Sequence, residues 1–332
     1  MYYILLDEIQ LADNFVGVLN GLLKLPNVDI YVTGSNSKFL STDIVTEFRG
    51  RGDEVRILPL SFSEFMSVYD GSYVQGWKEY YTYGGLPLVL SQRSEEAKMN
   101  YLKGQLKNVY LNGIIDRNRI QNEEQINAVL EILASSVGSL TNPLKLSNTF
   151  RSVANLPIAD KTVSNYLAYL EDAFLVDKAK RYDVKGKKYL STPSKYYFVD
   201  LGLRNAALNF RQQEENHIME NVIYLELLKR GFAVDVGIVE TSRRNEEGKF
   251  VRNYAEVDFV ANRGNNKFYV QSAFAMDTEA KQLQEKKSLL NIKDFFKKII
   301  VVKDDIKRKR DENGIITMSI YDFLLDENSL EY

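Results

Sequence analysis

Two apolar runs, "YYILLD" at residues 2–7 and "VDIYVTGSN" at 28–36, flank the helical pattern "NFVGVLNGLLKL", and this order restricts the fold more than any other feature of the chain. Both runs are short and rich in β-branched and aromatic residues, as strands buried on both faces require. Strand, helix, strand in succession predicts a parallel α/β sheet. A third run, "EVRILPL", closes this block near residue 60 as an expected third strand. From Ser63 to about residue 139 the pattern is mostly helical, broken by "YGGLP" at 83–87.

The following segments have a different pattern. "NPLKLSNTFRSV" and "ADKTVSNYLAYLEDAFLV", then the alternating "DKAKRYDVKGKKYL", read as helix, turn, helix and a hairpin turning at Lys185, Gly186 and Lys187. Val163, Leu167, Leu170 and Phe174 recur at helical spacing and form the expected buried stripe, which leaves Lys161, Thr162, Ser164, Asn165 and Tyr169 outward. The last third begins with the helix "HIMENVIYLELLKRG", ended by Gly231. A strand pair about "RGNN", a charged helix, the buried strand "KKIIVV" and a last strand near "GIITMSI" complete it.

Composition narrows the function classes. With 332 residues, the chain exceeds one ordinary core, and 45% hydrophobic with 27% charged residues is a globular balance. A net charge of -2 excludes general coating of nucleic acid and leaves local basic patches. The chain has no cysteine and one histidine, His217, so disulfides, zinc fingers, thiol catalysis and multi-histidine metal sites are excluded. His217 is assigned no role. No apolar run approaches a membrane span and no secretory signal opens the chain, so a cytoplasmic setting is expected.

The first strand ends in Asp7 and Glu8. An apolar strand ending in Asp-Glu is the Walker B pattern, in which the Asp holds a nucleotide's magnesium through water and the Glu polarises the attacking water. Thr33, Ser35 and Asn36 emerge at the end of the second strand, and Arg49 and Arg51 precede "EVRILPL". Together, "YYILLDEIQ", "VTGSNSKFLS", "EFRGRGDEVRILPLSFSEF" and "YTYGGLPLVL" closely resemble a bacterial and archaeal family of AAA-type P-loop ATPases whose core precedes a C-terminal domain of unknown function. "KLSNTFRSV", the stretch from "DKTVSNYLAYL" to "VDLGLRNA", and "NFRQQEENHIMENVIYLELLKRG" extend that resemblance over the whole chain. The resemblance implies Asp7 and Glu8 as the Walker B pair, Asn36 or Ser35 as the sensor of the γ-phosphate, and Arg51, with Arg49 as second choice, as the arginine finger. It also implies ATP and Mg2+ as cofactors, and self-association if the finger acts between subunits.

The departure is at the phosphate. No G-x-x-x-x-G-K-S/T loop occurs in the 332 residues, and "GSNSKFLS" lacks the second glycine and the Gly-Lys pair. These residues alone are therefore expected to bind ATP poorly and to lack ATPase activity. Since that loop's strand is central in this ATPase class, its omission predicts free backbone edges and exposed apolar surface. An N-terminally shortened chain in which Met1 is internal, through a gene-start error, a frameshift or the choice of fragment, is therefore expected.

The segment 141–205 resembles a winged helix. Lys178, Lys180, Arg181, Lys185, Lys187 and Lys188 face one acid, Asp183, in its hairpin, a footprint for phosphate backbones. Lys161, Asn165, Lys185, Lys187 and Lys188 are the expected DNA-contacting residues, and subunit or partner contact is the alternative. In 206–332, Glu220, Asp258 and Gln271 follow the order of the PD-(D/E)xK nuclease core, where they would bind magnesium. The lysine expected two residues after Gln271 is Ala273, so a nuclease-like fold used for binding is expected over an active nuclease. The expected architecture is α/β throughout: a partial AAA-type parallel sheet over 1–62, a helical lid over 63–140, the winged helix, and a restriction-endonuclease-like α/β domain. A nucleotide-independent module binding DNA or protein is the alternative function.

Overall fold

Tyr2–Leu6 (β1) and Val28–Val32 (β2) pair in parallel, with Leu6 beside Val32, and Phe15–Leu22 (α1) connects them. The structure, a computed structural model, describes residues 1–9, 12–34, 52–152, 156–212, 214–244 and 250–331. Ile9, Phe15 and Leu19 form a small buried cluster against Leu6, Val16, Ile30 and Val32. Successive strand side chains point to opposite faces, so the face away from α1 carries Tyr3, Leu5 and Tyr31 in solvent, Leu5 being 76% exposed.

The strand expected at "EVRILPL" is not formed. Residues 52–60 carry no strand, and Val55 and Ile57 are 76% and 84% exposed. Backbone N–H and C=O groups gain from an extended conformation only beside a partner strand, and β1 and β2 pair with each other alone among the described residues.

The helical region is as expected. Phe62–Met66 (α2), Tyr73–Tyr83 (α3), Pro87–Leu90 (α4), Glu95–Gly104 (α5), a π-helical stretch over Gln105–Leu111, Asn112–Asn118 (α6) and Glu123–Ser135 (α7) follow in order. Ser61 with Glu64, and Ser72 with Gln75, form reciprocal capping boxes that fix the starts of α2 and α3. The "YGGLP" break is where three segments meet backbone to backbone. A Cβ on Gly85 would lie 2.2 Å from the Leu60 carbonyl oxygen, and one on Gly202 would lie 2.1 Å from that of Tyr83. Both positions therefore admit no side chain without backbone movement.

Pro143–Ser152 (α8) and Asp160–Asp172 (α9) make the helix pair, and Val163, Leu167 and Leu170 are its buried stripe. Phe174 departs from that stripe: it lies past the helix end at φ 54°, half-buried, with the Arg56 guanidinium 5.1 Å from its ring centre. Val176–Asp183 (β3) and Lys188–Phe198 (β4) form the hairpin at the expected turn.

Leu201–Ala207 (α10), Glu215–Lys229 (α11), Ala233–Arg244 (β5), Phe250–Arg263 (β6), Asn266–Ala273 (β7), Glu279–Leu290 (α12), Lys297–Val302 (β8), Lys309–Arg310 (β9), Ile316–Ser319 (β10) and Ile320–Leu325 (α13) complete the chain. Strands on both sides of the expected division at 205/206 share one sheet. Arg181–Asp183 of β3 pair in parallel with Val236–Ile238 of β5, so the hairpin is part of one eight-stranded mixed sheet of order β4-β3-β5-β6-β7-β8-β10-β9. A wing would stand free, whereas these strands share their ladder with the segment assigned to the next domain. Ile218, Ile223 and Leu227 of α11 pack with Phe259, Val270 and Ile299. Leu289 of α12 packs with Val260, Tyr269 and Ile300. The alternation of these positions along the strands places the two clusters on opposite faces.

Candidate functional site

At the carboxyl ends of the parallel pair, the ladder continues past both strands. The Thr33 amide donates to the Leu6 carbonyl at 2.9 Å and the Ile9 amide to the Thr33 carbonyl at 3.3 Å. This register brings the Thr33 hydroxyl to Asp7, to whose carboxylate it donates, while the Glu8 amide donates to Thr33 Oγ1 at 3.1 Å. Glu8 has φ 47°, a left-handed conformation uncommon for a residue with a side chain and frequent at functional turns. The two acids thus stand at the edge where open parallel sheets bind ligands. Ser35, Asn36, Arg49 and Arg51 lie outside the described residues.

The second constellation is in the large sheet. Glu220 on α11, Asp258 on β6 and Gln271 on β7, widely separated in sequence, lie in one cluster. The Asp258 amide donates to Gln271 Oε1 at 3.4 Å, the Ser272 amide donates to Asp258 Oδ2 at 2.8 Å, and Gln271 Nε2 donates to Glu285 at 3.2 Å. Tyr197 donates its hydroxyl to Glu220 Oε1 at 2.6 Å. At the centre is a residue that sequence reasoning missed. Lys195 of β4, its side chain 5% exposed, places Nζ 2.9 Å from Glu220 Oε1, 2.7 Å from Glu256 Oε1 and 3.7 Å from Asp258 Oδ1.

Charge explains the protonation of this cluster. Burial disfavours the Lys195 ammonium, but the carboxylates of Glu220, Asp258 and Glu256 outweigh it and hold the group charged beyond the ordinary lysine range. Asp258 is pushed well above the usual carboxylate range, first by burial and then by the Glu220 charge, against the pull of Lys195. The signal for Lys195 was in the sequence: a lysine heading "KYYFVD", among residues fated for the core, has to find acids.

The expected DNA contacts divide into two groups. Lys161 and Asn165 are exposed on α9, and Lys187 and Lys188 are exposed at the hairpin turn. Lys185 is exposed there too but lies 3.4 Å from Glu240, which partly neutralises it. No hydrogen bond or ion pair among the described residues joins the two groups. His217 stands in the first turn of α11, half-exposed and 3.8 Å from Glu214.

Comparison with known proteins bears on both ends of the chain. Residues 1–66 match a family described as an AAA domain, and residues 74–214 match a domain of unknown function, DUF8612. An uncharacterized protein of Haemophilus influenzae is 37% identical over 328 residues, spanning 97% of this chain and 77% of its own length. An uncharacterized protein of Methanocaldococcus jannaschii is 30% identical over 304 residues, 87% of this chain; the chain spans 65% of that relative's length. Among solved structures, protein VC1899 from Vibrio cholerae aligns over 90% of this chain and 67% of its own at 12% identity and a TM-score of 0.26, too slight a likeness to carry an argument. No helix among the described residues is long and apolar enough to cross a membrane.

Proposed function

Because the chain belongs to one family with the Haemophilus influenzae protein and begins with residues that match an AAA domain, we propose that it contributes the Walker B half of an ATP site linked to a DNA-directed C-terminal body. The observation that carries this reading is the placement of Asp7 and Glu8 beside Thr33, at the carboxyl ends of two parallel strands. Thr33 orients one face of the Asp7 carboxylate, whose other oxygen would hold a water-bound magnesium, and Glu8 follows on the same turn to polarise a water. Bound Mg-ATP supplies the phosphoanhydride that such a water attacks. Ser35 or Asn36 as sensor, and Arg51 or Arg49 as finger, belong to the same proposal.

A triphosphate also needs a cradle of backbone N–H groups and a lysine, and these 332 residues contain no such loop. Mg-ATP is therefore expected to bind them no tighter than about 1 mM. In the full-length Haemophilus influenzae relative, replacing the residues aligned with Asp7 and Glu8 by Asn and Gln is expected to abolish ATP turnover. Tight, Asp7-dependent binding by the 332 residues would show that the loop is dispensable, and turnover in the relative that ignores both replacements would remove the site assignment.

For the C-terminal body, the exposed Lys187 and Lys188 at the hairpin turn support contact with a phosphate backbone. In gel-shift titrations at low salt, duplex DNA is expected to bind, and the double variant K187A/K188A to lower the slope of log affinity against log salt by about two. Binding that is absent, or unchanged in the variant, would favour the nucleotide-independent alternative in which this face meets a protein.

A further inference from the structure

The resemblance of Glu220, Asp258 and Gln271 to a nuclease core implies a divalent ion between helix and strands. The residues present do not fit one. The point on which Glu220, Glu256 and Asp258 converge holds the Lys195 ammonium, at 2.9, 2.7 and 3.7 Å from their oxygens. A magnesium bonded to the same oxygens at about 2.1 Å would overlap that ammonium or stand directly against it, and like charges so close repel strongly away from water.

Nor is Lys195 free to leave. Its neighbour Ser194 exchanges two backbone hydrogen bonds with Thr141, at 2.8 and 2.9 Å, which anchor this part of β4 from outside the sheet. Other groups of the cluster are paired as well. Tyr197 takes up Glu220, the Ser272 amide takes up Asp258, and Gln271 is shared between the Asp258 amide and Glu285.

We infer that Lys195 is an internal cation that takes the place of a divalent metal, making this carboxylate cluster a metal-independent clasp between β4, α11 and β6. Its place on β4, which belongs to the hairpin, means that the cation comes from outside the segment that resembles a nuclease. The body built on this sheet accordingly needs no metal to fold and does not use one to cleave phosphodiesters.

Manganese, read by the electron paramagnetic resonance of the free ion, tests this directly. Wild-type protein is expected to bind no stoichiometric Mn2+ at the cluster and to melt at the same temperature in Mn2+ and in EDTA. Lys195→Ser removes the ammonium and leaves room between the carboxylates. It is expected to bind one Mn2+ at least tenfold more tightly than wild type and to melt higher in Mn2+, with Asp258→Asn in the same background abolishing both effects. Stoichiometric Mn2+ binding by the wild type that Asp258→Asn removes would overturn the inference, as would a folded Lys195→Ser protein that ignores Mn2+. If Lys195→Ser folds in neither condition, the wild-type titration decides alone.

Discussion

Phe62→Ala is expected to lower the unfolding free energy by about 3–5 kcal/mol, the range for removing a fully buried aromatic ring. Phe62 is 1% exposed and is the point where α2 and α3 lock together. Its ring meets Trp77 edge-on at 5.9 Å between centres and Tyr80 at 5.5 Å, and stacks on Phe65 at 6.5 Å. Trp77 in turn donates its indole N–H to Glu215 Oε1 at 2.8 Å, which carries the packing of α3 to α11 under the large sheet. Close-packed rings on several sides leave little freedom for the site to collapse, so the cavity term stays near its upper range. Trp77 is the sole tryptophan of the chain, so urea unfolding followed by its fluorescence reports the variant without a label. The midpoint is expected to fall with an unchanged slope. A loss below about 1 kcal/mol would show that α2 is peripheral to the cooperative unit.

The same region ties α2's entry to the large sheet. Past the segment that holds Arg49 and Arg51, Arg56 pairs with Asp177 at 2.8 Å. The Leu60 amide donates to the Gly85 carbonyl at 2.9 Å, the Tyr80 hydroxyl donates to the Leu60 carbonyl at 2.9 Å, and Lys229 Nζ donates to Ser61 Oγ at 2.8 Å. Residues 56–61 are thus tied to β3, α3 and α11 at once.

The particular residues show why some of this was legible in sequence and some was not. The parallel pair could be read because Ile4, Leu6, Ile30 and Val32 lack polar alternation, and the glycine stop at Gly231, which has φ 78°, could be read because its neighbours are helical. Both are local signals. "EVRILPL" carries the same local signal, yet strand formation depends on a neighbour, and periodicity says nothing of neighbours. The hairpin of β3 and β4 was visible from its turn, but its membership of the large sheet rests on Arg181–Asp183 meeting Val236–Ile238, a pairing between distant segments. Lys195 illustrates the converse failure: the nuclease motif places its lysine two residues after Gln271, whereas here the charge arrives from β4. Two of the cluster's acids could be named from the sequence, and the strand supplying its cation could not.

Asp200 was also missed, and it gives the second large expected effect: Asp200→Asn should gain about 3 kcal/mol on wild type between about pH 4 and about pH 7. Asp200 is 2% exposed, caps α10 by accepting from the Leu203 amide at 2.9 Å, and accepts from the Gly85 amide at 2.8 Å, tying α10 to the glycine turn after α3. Burial raises its carboxyl, and the amides of Leu203, Gly85, Gly202 and Leu86 pull it back only part of the way, so it titrates at about 6 instead of 3.8. A folded-state value above the unfolded one means that the native protein holds the proton longer. The contribution is fully present below the unfolded value of 3.8 and is lost as pH rises through about 6. Asn cannot ionise, so its own cost, one amide donor facing a backbone donor, is independent of pH. Subtracting the two stability curves therefore cancels the titration of every other group to first order and isolates Asp200. Urea midpoints of the two proteins measured across that range provide the test: a constant gap would mean that folding leaves the titration of Asp200 unchanged, and a gap moving against Asn with rising pH would mean that its amide contacts hold the carboxylate below its unfolded value.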